Sequence, residues 1–201
     1  MRKADLEKRC HRFNAVLDRL TDRTDRIGKQ IRRKGDRRWC YEMLAVSPVT
    51  AWSDFTEDIF YMSLNRDSSA FSKRLGLTLP KNLTLPMCEA LFTTRGFLDF
   101  RSVGDLRGTA RKFLGDSNPF ATISSPTGQA IDRLAAVRNY IVHGSRVARA
   151  AYRMVLEQAG LKNLVAPGRF LAAKESGHKT RLAAYIDALH SGAGAVYNSI
   201  D

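Results

Sequence analysis

Cysteine is scarce in this sequence and spaced against the usual chemistries. Cys10, Cys40 and Cys88 are an odd number with no C-x-x-C among them. That argues against a disulfide framework and a zinc knuckle, and a reducing, cytoplasmic setting is expected. Long apolar runs are missing as well, so nothing reaches the length of a membrane span and no membrane partner is expected. The start, MRKADLEKRC, is basic but leads into no apolar stretch, so no secretory leader is expected. Period-two alternation is almost absent, which leaves little room for sheet and predicts an all-α protein. G-x-S-x-G, the P-loop and H-E-x-x-H are absent too. His11, His178 and His190 have no ligand-like spacing with acids or cysteines and read as surface or helix-end residues. No metal and no cofactor is expected.

Acidic residues are the minority charge: 33 Lys and Arg stand against 20 Asp and Glu, for a net charge of +13. Such a surplus favours a polyanion, most often nucleic acid. Arginine dominates it, and arginine grips phosphate bidentately where lysine offers a point charge. With 44% hydrophobic residues the chain can still bury a core. Leu6, Cys10, Phe13, Leu17, Leu20, Thr24, Ile27 and Ile31 recur at spacings of four and three, which predicts a long amphipathic helix over 1–38 with Gly35 as its stop signal. Its other faces carry arginines, among them Arg32 and Arg33.

Ser47-Pro48 is expected to break the chain, and Ser53 to cap a second helix through SDFTEDIFYMSLNR. SSAFSKRL reads as a short helix ending at Gly76. GLTLPKNLTLP reads as an extended bridge. Gly96, Gly104, Gly108 and Gly115 are expected to punctuate two or three short helices. Ser125 then caps a helix over 126–143, with Pro126 at its first position and Gly144 at its end. Ser145 opens the next helix, which runs to Gly160. A loop over Ala166–Gly168 precedes a last helix from about His178 to Asn198.

The 126–143 helix carries the chemistry. At 100° per residue, Leu134, Ala135, Val137, Ile141 and Val142 fall within about 120° of Ile131 and form an apolar arc. Arg138 lands inside that arc. Asp132, Asn139 and His143 stack along its edge. A guanidinium cannot shed its charge, so Arg138 must find an anion: an acid such as Glu57 or Asp58, or a ligand phosphate. A register-fixing ion pair accounts for Arg138 alone, and a helix-end cap accounts for His143 alone.

Together, Arg138-Asn139-Tyr140-Ile141-Val142-His143 with Gly144 directly after resembles the R-x(4–6)-H signature of HEPN domains, including the polar residue after the arginine. Four specified residues at about 5% usage each arise by chance in roughly one 200-residue chain in a thousand. AWSDFTEDIF and LGDSNPF resemble the approach to the motif in stand-alone, ribonuclease-type members, the RiboL-PSP/MAE-like group. The resemblance covers residues 45–160. It implies a HEPN-like helical bundle within one domain over 1–201, with the basic helix 1–38 before the bundle and a C-terminal helical extension over 161–201.

The resemblance further implies a homodimeric, metal-independent endoribonuclease, a toxin or antiviral-defence effector held in check by an antitoxin or regulatory protein. Some HEPN toxins pair with nucleotidyltransferase antitoxins and carry a tyrosine two residues after the histidine. Here that position is Ser145, which argues against that pairing. RNA brings its own nucleophile, the 2′-OH, so His143 is expected as general acid and base. Arg138 is expected to stabilise the phosphate, and Asn139 to orient the imidazole or bond the phosphate. Tyr140, Ser145, Arg146, Arg32 and Arg33 are expected to contact RNA, with Glu57 and Asp58 as supporting acids. Two alternatives stand beside this. One is a HEPN protein that binds RNA, a nucleotide or a partner protein without cleaving. The other is a basic helical protein that binds nucleic acid through its first helix.

Overall fold

The computed structural model describes residues 3–80, 82–93, 100–175 and 179–199. Among them the chain is all-α, with nine helices and one isolated bridge, Lys174 to Thr180. No helix among the described residues is long and apolar enough to cross a membrane.

The spacing of four and three produces α1, Lys3–Gln30. Leu6, Cys10, Phe13, Leu17, Leu20 and Thr24 are all buried on one side of it, while Ile27 and Ile31 are half-buried. Thr24 is tolerated there because its hydroxyl donates to the Leu20 carbonyl at 2.8 Å. Burial pushes the Cys10 thiol up to about 11, so this cysteine behaves as a packing residue.

The helix stops eight residues short of its expected end. Arg32 and Arg33 lie in the turn after Gln30, and Gly35 sits inside the next helix, α2, Lys34–Arg66. The larger correction is at Pro48, which lies within α2 and breaks nothing, so no helix begins at Ser53. A proline costs one backbone bond and crowds the preceding turn. Here Tyr41, Ala45, Pro48, Trp52, Phe55 and Ile59 continue one buried stripe through it, and that packing outweighs the local penalty.

The remaining helices are α3 (Ser69–Leu75), α4 (Leu85–Thr93), α5 (Val103–Leu114), α6 (Ser125–His143), α7 (Arg146–Gln158), α8 (Pro167–Ala172) and α9 (Arg181–Asn198). As expected, α3 ends at Gly76, whose φ of 66° is left-handed. The second LTLP enters α4 at Leu85, so the bridge is shorter than expected. Asn65 donates to the Leu83 carbonyl and holds that bridge against buried Leu83. Gly104 and Gly108 fall inside α5 rather than between helices, because Ser102 caps it by accepting from the Asp105 N–H at 3.0 Å. Gly96 lies outside the described residues. Ser124 rather than Ser125 caps α6, taking the Thr127 N–H at 3.3 Å. Ala166–Gly168 opens α8 rather than looping. The last helix starts at Arg181, and His178 lies outside the described residues.

The chain divides into two compact units. One holds residues up to Phe13, Trp52–Gly128 and Ser191 onward; the other holds Asn14–Ala51 and Gln129–His190. The first is built on aromatic rings: Phe13 stacks on Phe55 at 4.5 Å, and Phe92 meets Phe60, Phe71 and Phe113 at 5.2–5.6 Å. The second packs Leu17, Tyr41, Ile131, Leu134, Val137, Tyr152, Phe170 and Leu189, all buried. Arg181 covers the Phe170 ring at 4.6 Å there.

Candidate functional site

The expected site residues fall mostly in the second unit. Ile131, Leu134 and Val137 are buried, so α6 presents the expected apolar face. Val142, read as part of the arc, is exposed near the end of the helix instead. Gly144 ends α6 with a φ of 56° while its N–H still bonds the Tyr140 carbonyl at 3.0 Å. That left-handed turn admits few side chains without strain, and it starts α7 two residues later.

Arg138 is half-buried rather than fully inside the arc. Its Nη1 donates to Asn139 Oδ1 at 3.0 Å, which draws the guanidinium toward the edge of α6 where Asn139 and His143 lie one turn apart. Its Nε is buried and has no hydrogen-bond partner among the described residues. A half-satisfied guanidinium of this kind offers its remaining donors to an acceptor with more than one oxygen. His143 is exposed at the end of the helix, with no hydrogen-bond partner among the described residues. Arg138, Asn139 and His143 therefore share one helix end.

The supporting acids have other engagements. Glu57 and Asp58 belong to the first unit. Asp58 is ion-paired with Arg9, and Tyr61 hydrogen-bonds the Glu57 carboxylate. Both carboxyls are pushed above the usual range, first by burial. Nearby Asp58 and Asp54 add to this for Glu57, as Asp54 does for Asp58, and Arg9 offsets only part of the effect on Asp58. Asp58, Tyr61, Glu89, Lys8, Arg9 and Arg12 line a cleft of about 330 Å³ of mixed charge. Among the described residues no three His, Cys, Asp or Glu side chains converge as metal ligands would.

Two of the expected RNA contacts are occupied structurally. Tyr140 stacks on Tyr152 with ring centres 4.9 Å apart and planes at 16°, and Tyr152 donates to the Val165 carbonyl at 2.9 Å. Ser145 caps α7, its hydroxyl accepting from the Ala148 N–H at 3.2 Å. Arg146, Arg32 and Arg33 are exposed. His190 faces Asn14 at 3.1 Å and Asp18 at 3.5 Å, and His11 sits edge-on to Tyr197, so both tie helices together.

Two features escaped the sequence reading. Trp39, directly after Arg37-Arg38, is 61% exposed. Its offset from the Tyr41–Ala45–Pro48 stripe is the signal the sequence carries, and it shows only when the helix runs through Pro48. The second is the outer face of α7, where Val147 (79% exposed) and Met154 (60%) stand seven residues apart on the same side. No family model matches the chain, and neither does any curated protein or solved structure.

Proposed function

We propose that this chain is a metal-independent endoribonuclease of the HEPN kind, acting as a homodimer in a toxin or defence role. The observation that carries the reading is the end of α6: Arg138 tethered to Asn139 with an unpartnered Nε, beside exposed His143. A phosphate's oxygens take the Nη donors that Asn139 leaves free. His143 takes the proton of the 2′-OH as that oxygen attacks the adjacent phosphorus. Arg138 neutralises the charge gathering on the non-bridging oxygens. The bond to the 5′-oxygen breaks, and that oxygen receives a proton from the His143 of a second copy. The products are a 2′,3′-cyclic phosphate and a 5′-hydroxyl.

The test is cleavage of structured and unstructured RNA in EDTA by wild type, His143→Ala, Arg138→Ala and Asn139→Ala. The first two are expected to lose at least a hundredfold in rate, His143→Ala with unchanged melting and Arg138→Ala with a small fall from its lost stem packing. Asn139→Ala frees the Arg138 fork and is expected to cost about tenfold. Cleavage that survives both His143→Ala and Arg138→Ala, or that EDTA abolishes, overturns the reading.

A HEPN-like protein that binds RNA, a nucleotide or a partner protein without cleaving is the second reading. One observation favours it: no described side chain orients the His143 ring, as catalytic imidazoles usually require. Retention of RNA without cleavage by all four proteins would select it.

A further inference from the structure

Trp39 is the least explained side chain in the molecule. The chain has two tryptophans. Trp52 is 7% exposed and tilts against Phe13 and Phe55, whereas Trp39 is 61% exposed and takes part in no described ring contact. It lies on the side of α2 away from buried Tyr41, Ala45 and Pro48, one turn before exposed Met43. Such an indole adds nothing to the core and raises the risk of aggregation, so a use at the surface is the economical account of it.

Its surroundings are cationic. From Arg19 to Arg38 the sequence holds nine Lys and Arg against three Asp, and seven of the nine are arginine. Arg32 and Arg33 are exposed in the turn between α1 and α2, and Lys34 and Arg38 are exposed on the first turns of α2. The backbone beneath Trp39 is fixed. Gly168 packs against the Arg38 carbonyl so closely that a Cβ there would collide with it, and the Gly168 N–H donates to Glu42 Oε1 at 2.8 Å. Tyr41 is buried two residues on. The indole is therefore carried on a well-anchored helix turn whose neighbours in the sequence include exposed arginines.

Three polyanions could meet this surface. An anionic membrane calls for a broad apolar face on a basic helix, and Trp39 with Met43 is too small a one, while Asp22 and Asp25 interrupt the arginines. An acidic protein would be served as well by lysine and has no need of the indole. Single-stranded nucleic acid needs both groups: fork-shaped cations for phosphates and an aromatic plane for a base, whereas a duplex keeps its bases out of reach.

We propose that the α1–α2 corner is a binding site for unpaired nucleotides, RNA on the reading above, in which Trp39 stacks on one base while Arg32, Arg33 and Arg38 hold the flanking phosphates. The site rests on that reading for its ligand, but it is separate from the cleavage motif and needs no chemistry. It is a place where a strand is held while another part of it is cut.

The experiment measures binding by the full chain carrying His143→Ala, with an unstructured 12-nucleotide RNA and a fully paired RNA duplex of the same length. The single strand is expected to quench Trp39 fluorescence. Trp39→Ala is expected to weaken single-strand binding about five- to a hundredfold and duplex binding less than twofold, because stacking on one base is worth about 1–3 kcal/mol. Trp39→Phe should restore most of the loss, while Arg32→Gln with Arg33→Gln should weaken both ligands. Equal single-strand affinity for wild type and Trp39→Ala overturns the proposal. So does an equal loss for the duplex, or a Trp39 response to phosphatidylglycerol vesicles and not to RNA. Trp39-dependent binding without cleavage by the wild type would sink the ribonuclease reading and leave this site standing. Cleavage indifferent to Trp39, with unchanged single-strand affinity, would do the reverse.

Discussion

Arg138 joins two environments with one side chain. Its stem leaves the helix among Ile131, Leu134 and Val137, and its head turns along α6 to Asn139. This is how a charged residue occupies an apolar arc while keeping part of its charge outside it: the stem and Nε are covered, and the Nη end of the guanidinium reaches the edge. Type and spacing made the motif legible in the sequence. The Nη1–Oδ1 bond was not legible, because it depends on rotamers. At Glu57 the sequence suggested a partner for Arg138, and the structure places there a carboxylate crowded by Asp54 and Asp58. Burial first, then those two charges, raise its pKa above the usual value. A carboxyl whose folded pKa exceeds its unfolded one gains stability as pH falls through the folded value, fully so below the unfolded value of about 4.3. Glu57→Gln removes the charge and keeps an acceptor for Tyr61. It is expected to melt about 1–2 °C above wild type at pH 7, a small gain because water screens a part-exposed carboxyl. The gap should close by about pH 4, as the wild-type carboxyl itself becomes neutral. Melting curves at the two pH values check this, and a lower melting point for the variant at pH 7 would refute it.

Helices were legible where one period held along their length. The α1 stripe from Leu6 to Thr24 is buried as its spacing demands. The same spacing runs through Tyr41, Ala45, Pro48, Trp52, Phe55 and Ile59, but a proline rule applied locally concealed it. The structure sides with the period because six buried side chains outweigh one lost backbone bond. Glycines show the opposite limit: Gly35 and Gly168 look alike in sequence, and tertiary contact separates them. A Cβ on Gly35 would meet nothing within 4 Å, whereas on Gly168 it would strike the Arg38 backbone. Gly35→Ala is accordingly expected to stabilise by up to about 1 kcal/mol, through helix propensity and a less flexible unfolded chain. Gly168→Ala is expected to destabilise by about 2–4 kcal/mol, since α8 must move off α2. Urea midpoints measure both. Equal signs for the two substitutions would mean that the approach of Gly168 to Arg38 is looser than the structure gives it.

For the whole molecule, net charge and all-α content could be read from composition and periodicity, but association could not. A protein with a charge of +13 repels copies of itself, so assembly needs an apolar surface strong enough to overcome that repulsion. Val147 and Met154 on the outer face of α7, with Val142 at the end of α6, are exposed apolar side chains in the motif's neighbourhood. Val142 immediately precedes His143, and Arg146, Arg149 and Arg153 run along α7 beside the other two. If two copies meet there, each brings an α6 end close to the other, and an RNA strand between them offsets the arginine charge of both. Assembly and cleavage then stand or fall together. Val147→Asp with Met154→Asp changes neither the buried face of α7 nor the Ser145 cap, so helix content should remain that of wild type. Sedimentation at tens of micromolar is expected to show a dimer for wild type and a monomer for the double variant. Cleavage by the variant should fall at least tenfold, and wild-type specific activity should fall on dilution through the dissociation range. A variant that is monomeric and fully active would separate the motif from the assembly and leave a one-chain mechanism. A wild-type protein that is monomeric throughout would remove the second His143 from the reaction.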